Sequence, residues 1–439
     1  MPRRPVPDLR VTALRAAYDS GGLRPADVVD EVLGRIADDH SWITLVPADD
    51  FRARAAELEA KSDRPKLYGV PFAVKDNIDV AGLPTTAGCP DFAYRPDRTA
   101  EVVTRLLDAG AMLVGKTNLD QFATGLTGTR SPYGACSSVF GGGLVSGGSS
   151  SGSALAVATR TVSFALGTDT AGSGRVPAAL NGIVGLKPTR GLLSAAGVVP
   201  ACRSLDCVSV FAGDVAGAAA VFEVALARSL TDPWSRSVAL PRRAPGTLRL
   251  GVPAAPLDDA DPGQAEAFAR GRQRATALAA RTRPVDVRPF LAAGDLLYEG
   301  PWVAERLTAV GDFLDAKPDS VLPVTRTVLE TGRRHSAVDA FRAQHRLREL
   351  AAVVEQGWRE IDLLVLPTVG TTVTHAEVAA DPIGRNAALG RYTHFANLLD
   401  LAVVAVPNGF TPDGRPASLS LIGPAGSDVT LLRFAAALA

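Results

Sequence analysis

The chain has 439 residues, 46% hydrophobic and 21% charged, the balance of a globular protein that can bury a large core without staples. Its 46 basic and 46 acidic residues cancel, so nothing points to nucleic acid or an anionic membrane surface as a partner. Four cysteines, Cys89, Cys136, Cys202 and Cys207, are too few for a disulfide framework and lack zinc-site spacing; no run approaches the ~20 apolar residues of a membrane span.

The N-terminus, Met1 to Pro7, is basic but has no apolar signal-peptide core. The expectation is a cytoplasmic, reduced protein. Residues 8–62 predict scaffold helices. Pro25 suits a first helical position, and Val28, Val29, Val32, Leu33 and Ile36 recur at helical spacing. Asp49 or Asp50 can cap the next periodic segment.

Residues 68–80 hold an apolar extended run, Val70-Pro71-Phe72-Ala73-Val74, that ends at Lys75. An isolated lysine is usually a solvated surface charge. At the end of a packed strand it meets apolar surface instead. Burial lowers a lysine pKa, and a neutral amine is a competent general base.

Residues 99–118 predict a helix and then a strand. They contain a literal phosphate-loop pattern, Gly110-x-x-x-x-Gly115-Lys116-Thr117. The intervening Ala111-Met112-Leu113-Val114 favours a buried strand, and the helix precedes it rather than follows. A phosphate loop needs an exposed nest that opens a helix, so a nucleotide-binding reading is rejected. Residues 122–146 are loop-like, with glycines at 125, 128, 134 and 141–143.

Two Gly/Ser loops then bracket a short apolar segment. The first is Gly147-Gly148-Ser149-Ser150-Ser151-Gly152-Ser153; the second is Gly167-Thr168-Asp169-Thr170-Ala171-Gly172-Ser173-Gly174-Arg175. Backbone N–H groups in such loops form nests suited to an oxyanion, and neighbouring hydroxyls can act as nucleophiles. Residues 150–167 predict a short helix and a strand, which puts Ser149 at a helix N-terminus. No Gly-x-Ser-x-Gly elbow is present, and none of the five histidines lies in either loop. Asp169 and Arg175 are expected to hold the second loop by hydrogen bonds.

A Pro/Arg/Ser-rich connector spans 225–250, followed by a strand over Leu248–Val252. Residues 262–358 predict mainly helix, an insertion over the sheet. Pro301 is placed to open a helix, which puts Tyr298 in the preceding loop and Arg306 on the second turn. Ile361–Pro367 and Leu401–Val406 predict buried strands. Helices alternating with apolar strands argue for an α/β sheet covered on both faces.

Lys75, the Gly-Gly-Ser-Ser loop and the Gly-Thr-Asp-x-x-Gly-Ser loop, in that order, resemble the amidase signature family. The resemblance runs from about Leu23 to the C-terminus. It implies a large mixed central sheet with helices on both faces and a helical insertion. It also implies one domain over 1–439: N-terminal helices 1–65, catalytic core 66–225, a mainly helical subdomain 226–358, and a return to the core 359–439. The family's Ser–Ser–Lys triad falls on Ser173 as acyl-forming nucleophile, Ser149 as bridging serine with a cis peptide bond, and Lys75 as base. The oxyanion hole falls on the N–H groups of Thr170, Ala171, Gly172 and Ser173. Gly125 falls where the family lines its substrate cavity with backbone. No metal or cofactor is implied.

Many members have Gly-Gly-Ser-Ile-Arg at the nucleophile, where this chain has Ala171-Gly172-Ser173-Gly174-Arg175. The runs Gly185–Ser194, Val199–Ser209 and Leu297–Arg306 resemble the allophanate hydrolase branch. That resemblance implies a small ureido substrate with a carboxylate, clamped by the Arg306 guanidinium and met by the Tyr298 hydroxyl. The bland alternative for Arg306 is an exposed helix arginine. Other readings are a carboxybiuret-type hydrolase, a small-amide amidase or one component of an amidotransferase. The family often forms dimers, so a homodimer is an expectation, as is a functional link to urea carboxylase. Many branch members carry a further C-terminal domain, and this chain stops at Ala439. The expectation is a single-domain form or a truncation.

Overall fold

The computed structural model describes residues 8–438. The basic run Met1 to Pro7 lies outside the described residues. Eleven strands form one sheet: β1 (Trp42–Leu45), β2 (Pro71–Lys75), β3 (Met112–Thr117), β4 (Phe164–Asp169), β5 (Val184–Lys187), β6 (Cys207–Ala212), β7 (Arg249–Pro253), β8 (Arg281–Val285), β9 (Leu363–Pro367), β10 (Leu401–Phe410) and β11 (Pro416–Pro424). Their order is β1-β3-β2-β4-β6-β5-β10-β11-β9-β7-β8. β2 runs parallel to both β3 and β4. β7 runs parallel to β8 and β9. The β6, β5, β10 and β11 ladders are antiparallel, so the sheet is mixed.

Successive side chains leave a strand on opposite faces. Phe72, Val74, Phe164, Leu166, Val404 and Leu421 enter one apolar cluster with the helices Glu101–Asp108, Val215–Ala225 and Asp428–Leu438. Ala73, Ala165 and Phe211 face the other way, onto Val28, Val32 and Phe51 of the N-terminal helices. Further along that side, Leu364, Leu366 and Val403 meet Phe290 and Leu350 of the insertion. Strands wedged between two apolar layers have no polar face to show, and β2, β4, β6 and β9 are buried along their whole length.

The phosphate-loop pattern dissolves into this sheet. Met112–Thr117 is β3, buried throughout, and Lys116 Nζ lies 3.1 Å from the buried Asp76 carboxylate. Five strands go beyond the sequence expectation. β1 interrupts the N-terminal helices, β5 and β6 overlap the runs 185–194 and 199–209, for which no strand is predicted, β8 interrupts the helical run 262–358, and β11 completes a hairpin with β10. Tyr298 is also corrected: it sits in the last turn of the helix Arg288–Glu299, not in a loop. Gly300 and Pro301 break the chain there, and Arg306 lies on the second turn of the next helix, Trp302–Ala316. Among the described residues, no helix is long and apolar enough to cross a membrane.

Candidate active site

Lys75 closes β2 between its two parallel neighbours, so its side chain emerges inside the molecule. It is 0% exposed. Its Nζ donates to Ser149 Oγ at 2.7 Å and to Thr168 Oγ1 at 2.8 Å. Burial drives the amine down to about 7, against the pull of Asp120, Asp206 and Asp169 and with help from Arg306. Near neutral pH a large share of Lys75 is therefore uncharged, with a lone pair to receive a proton. Asn77 supports the arrangement by donating to Thr168 Oγ1 and to the Val199 carbonyl.

Ser149 lies just before the helix Ser151–Ala158, whose N-cap is Ser150. The Gly148–Ser149 peptide bond is cis. Gly148 is glycine for lack of space: a Cβ there would stand 2.0 Å from Asp120 Oδ2 and 2.6 Å from the Gly128 nitrogen. Asp120 binds this loop from the other side too, its N–H donating to the Ser149 carbonyl. Its carboxylate accepts from the N–H groups of Gly128 and Arg130.

The second Gly/Ser loop leaves β4 at Asp169. That carboxylate accepts from the N–H of Gly172 (2.9 Å) and Gly174 (3.0 Å) and from Nε and Nη2 of Arg175, both at 2.8 Å. Burial pushes the Asp169 carboxyl up, but the charge and hydrogen bonds of Arg175 hold it below its ordinary value. Arg175 also donates to the Thr393 carbonyl and Asn397 Oδ1. Asn397 returns a bond to the Asp169 carbonyl, and Thr393 Oγ1 donates to the Ala171 carbonyl. Gly172 has φ +137°, and a Cβ on it would lie 2.3 Å from Thr393 Oγ1. Backbone conformation and space both demand glycine there.

Ser173 is 4% exposed. Among the described residues its Oγ takes part in no hydrogen bond, and none joins it to Ser149 Oγ. Lys75 and Ser149 are joined by a hydrogen bond, and Ser149 and Ser173 are not. Such links commonly tighten only around substrate. The four expected oxyanion donors separate. Gly172 is corrected, since its N–H is committed to Asp169. The N–H groups of Thr170, Ala171 and Ser173 have no acceptor among the described residues. The Thr170 hydroxyl donates to the half-buried Asp206 carboxylate, which also accepts from the N–H groups of Ala201 and Cys202.

Arg306 is 3% exposed, not a surface arginine. Its guanidinium carbon lies 5.7 Å from the centre of the Tyr298 ring, and Nη1 donates to Thr124 Oγ1 at 3.1 Å. No other hydrogen bond of this guanidinium reaches a described residue. Gly125 follows Thr124 directly, and a Cβ on it would lie 2.5 Å from Asp120 Oδ2. Asp120 thus presses against both Gly125 and Gly148, which brings the loop carrying the Arg306 contact up to Ser149.

Sequence reasoning passed over Thr168, Asp120, Thr393 and Asn397. Thr168 had a signal. It lies on the strand parallel to β2, where the Val74–Leu166 register carries Gly167 to the level of Lys75 and Thr168 one residue past it. Asp120, Thr393 and Asn397 reach the site from remote loops and helix ends, and nothing local marks them.

The amidase family model matches residues 27–432. The chain is 45% identical over 407 residues to the urea amidolyase of Lachancea kluyveri, covering 91% of this chain but 22% of that protein. It therefore spans about a fifth of the length of that relative. It is 33% identical to a glutamyl-tRNA(Gln) amidotransferase subunit from Acidobacterium capsulatum, covering 95% of this chain and 96% of that one. Among solved structures it resembles Kluyveromyces lactis allophanate hydrolase, with TM-score 0.93 and 41% identity, over 98% of this chain and 72% of that chain. The family model and the full-length relative together show that the chain belongs to the amidase family.

Proposed function

We propose that the chain hydrolyses allophanate, releasing ammonia through an acyl-enzyme on Ser173. The observation that carries this reading is Lys75: a buried amine held near neutrality, 2.7 Å from Ser149 Oγ. Neutral Lys75 takes the Ser149 proton as Ser149 takes the Ser173 proton. Ser173 Oγ bonds to the carbonyl carbon, and the oxyanion rests on the free N–H groups of Thr170, Ala171 and Ser173. The C–N bond breaks, and the leaving nitrogen receives the proton back through Ser149. Ammonia departs, and water cleaves the ester to give N-carboxycarbamate.

Arg306 supports the substrate class. A buried guanidinium with one hydrogen bond to the protein retains donors for a carboxylate, and Tyr298 stands beside it. The likeness to urea amidolyases and to an allophanate hydrolase supports the same assignment. A functional link to urea carboxylase, which would supply a carboxylated urea, belongs to this proposal, as do a cytoplasmic setting and a homodimer. Gly125 lining the cavity is a further part of it. The near full-length match to one component of an amidotransferase favours glutaminase activity as the second reading.

The test is ammonia release from allophanate, biuret, urea, malonamate, glutamine and simple amides. The expected result is turnover of allophanate. Turnover of glutamine or simple amides with none of allophanate would overturn the substrate.

A further inference from the structure

Between the nucleophile loop and the Tyr298–Arg306 pair lies one short segment, residues 390–397. Its Thr393 holds the Ala171 carbonyl and accepts from Arg175 through its own carbonyl. The next residue, His394, turns to the other side. Its ring packs on Tyr298 with centroids 5.0 Å apart at 56°. Tyr298 in turn lies under the Arg306 guanidinium.

His394 is 7% exposed, and its Nε2 is buried with no hydrogen-bond partner among the described residues. A buried ring nitrogen left unpaired is destabilising, so a solvated position would serve stability better. The ring stays because of what surrounds it. Gly390 has no side chain, and a Cβ there would stand 1.7 Å from Nε2. Gly294 lies one turn before Tyr298 on the same helix face, and a Cβ there would stand 3.1 Å from His394 Cβ. Gly390 thus clears space for the imidazole and Gly294 for the start of the His394 side chain, while the ring packs on Tyr298. Burial, with Arg175, Arg391 and Arg306 adding to it, pushes this histidine down to about 3. It is neutral at working pH and adds no charge that would compete with Arg306.

We propose that His394 is a positioning residue for substrate selection, a neutral spacer that fixes the Tyr298 ring and, through it, the Arg306 guanidinium relative to Ser173. The inference rests on the carboxylate-substrate reading above. His394 does not touch the reacting atoms, so it acts on KM rather than on kcat.

The test is steady-state kinetics on allophanate with the full chain. His394→Ala is expected to raise KM about two- to tenfold, the scale of one lost aromatic contact, with kcat within a factor of about two. His394→Phe keeps a ring in place and is expected to restore KM. In a Tyr298→Ala background the His394→Ala effect should vanish, since the two residues act through one contact. The same factor in both backgrounds, or a fall in kcat with KM unchanged, would overturn the inference. If His394→Ala fails to fold, Gly390→Ala displaces the same ring and should raise KM; an unchanged KM overturns the idea. Arg306→Ala separates the two levels. If it leaves allophanate kinetics unchanged, the substrate reading itself fails; if it raises KM while His394→Ala does not, only the positioning role fails.

Discussion

In the loop carrying Ser173 the Asp169 carboxylate accepts four hydrogen bonds, and the Arg175 guanidinium is shared among Asp169, Thr393 and Asn397. On the arm opposite, an equally buried guanidinium, Arg306, makes one bond, to Thr124. Both regions take a cation out of water. The first answers it from within the protein, and a network satisfied on all sides is rigid before substrate arrives. The second leaves donors over, which is unfavourable until an anion accepts them. One region is satisfied from within, and on the proposed reading the other is completed by a ligand.

Each side of this contrast can be broken separately. Ser173→Ala should lower turnover about 10⁶-fold, the scale seen when a serine hydrolase loses its nucleophile, with folding intact by circular dichroism. Asp169→Ala strands the Arg175 charge in the core. It should destabilise the fold by about 3–5 kcal/mol in urea unfolding, besides abolishing activity. Arg306→Ala touches only the unfinished side. It should weaken allophanate by about 2–5 kcal/mol in kcat/KM while leaving the urea midpoint near that of the parent, because no internal network collapses. A stability loss as large as that of Asp169→Ala would erase the contrast. Thr168→Val is the smallest change. It removes one acceptor from Lys75 Nζ and should cost about tenfold in rate or less. Because that hydroxyl favours the charged amine, its loss should move the Lys75 titration to lower pH.

The sequence exposes the parts of the molecule whose signal is local. Val70 to Lys75 reads as a strand delivering a lysine because five residues in a row are apolar. The Gly-Ser loops announce themselves because close backbone approach needs glycine, as the Asp120 contact at Gly148 shows. β8, Arg-Thr-Arg-Pro-Val, sits at the sheet edge, mostly exposed, so its residues carry no burial pattern. β11 places Ser418 and Ser420 in the interior, where Thr368 and the Val406 carbonyl partner their hydroxyls. A strand stabilised by such distant partners looks polar from its own letters. Tyr298 reads as loop from its letters because Gly300-Pro301 marks a helix start equally well whether a loop or another helix comes before it. The Gly172 N–H looks as available as those of its neighbours in the sequence; only the position of Asp169 reveals that it is taken.

The claim on which the mechanism depends is that Lys75 acts as an uncharged base. Its pH dependence is the direct measurement. Below about 7 the amine carries a proton and cannot accept another; above it the lone pair is free. The account predicts that kcat/KM for allophanate rises with pH through a midpoint near 7, and that Lys75→Met removes this rise along with most of the activity. A profile flat across neutral pH, or one that falls as the amine deprotonates, would contradict it.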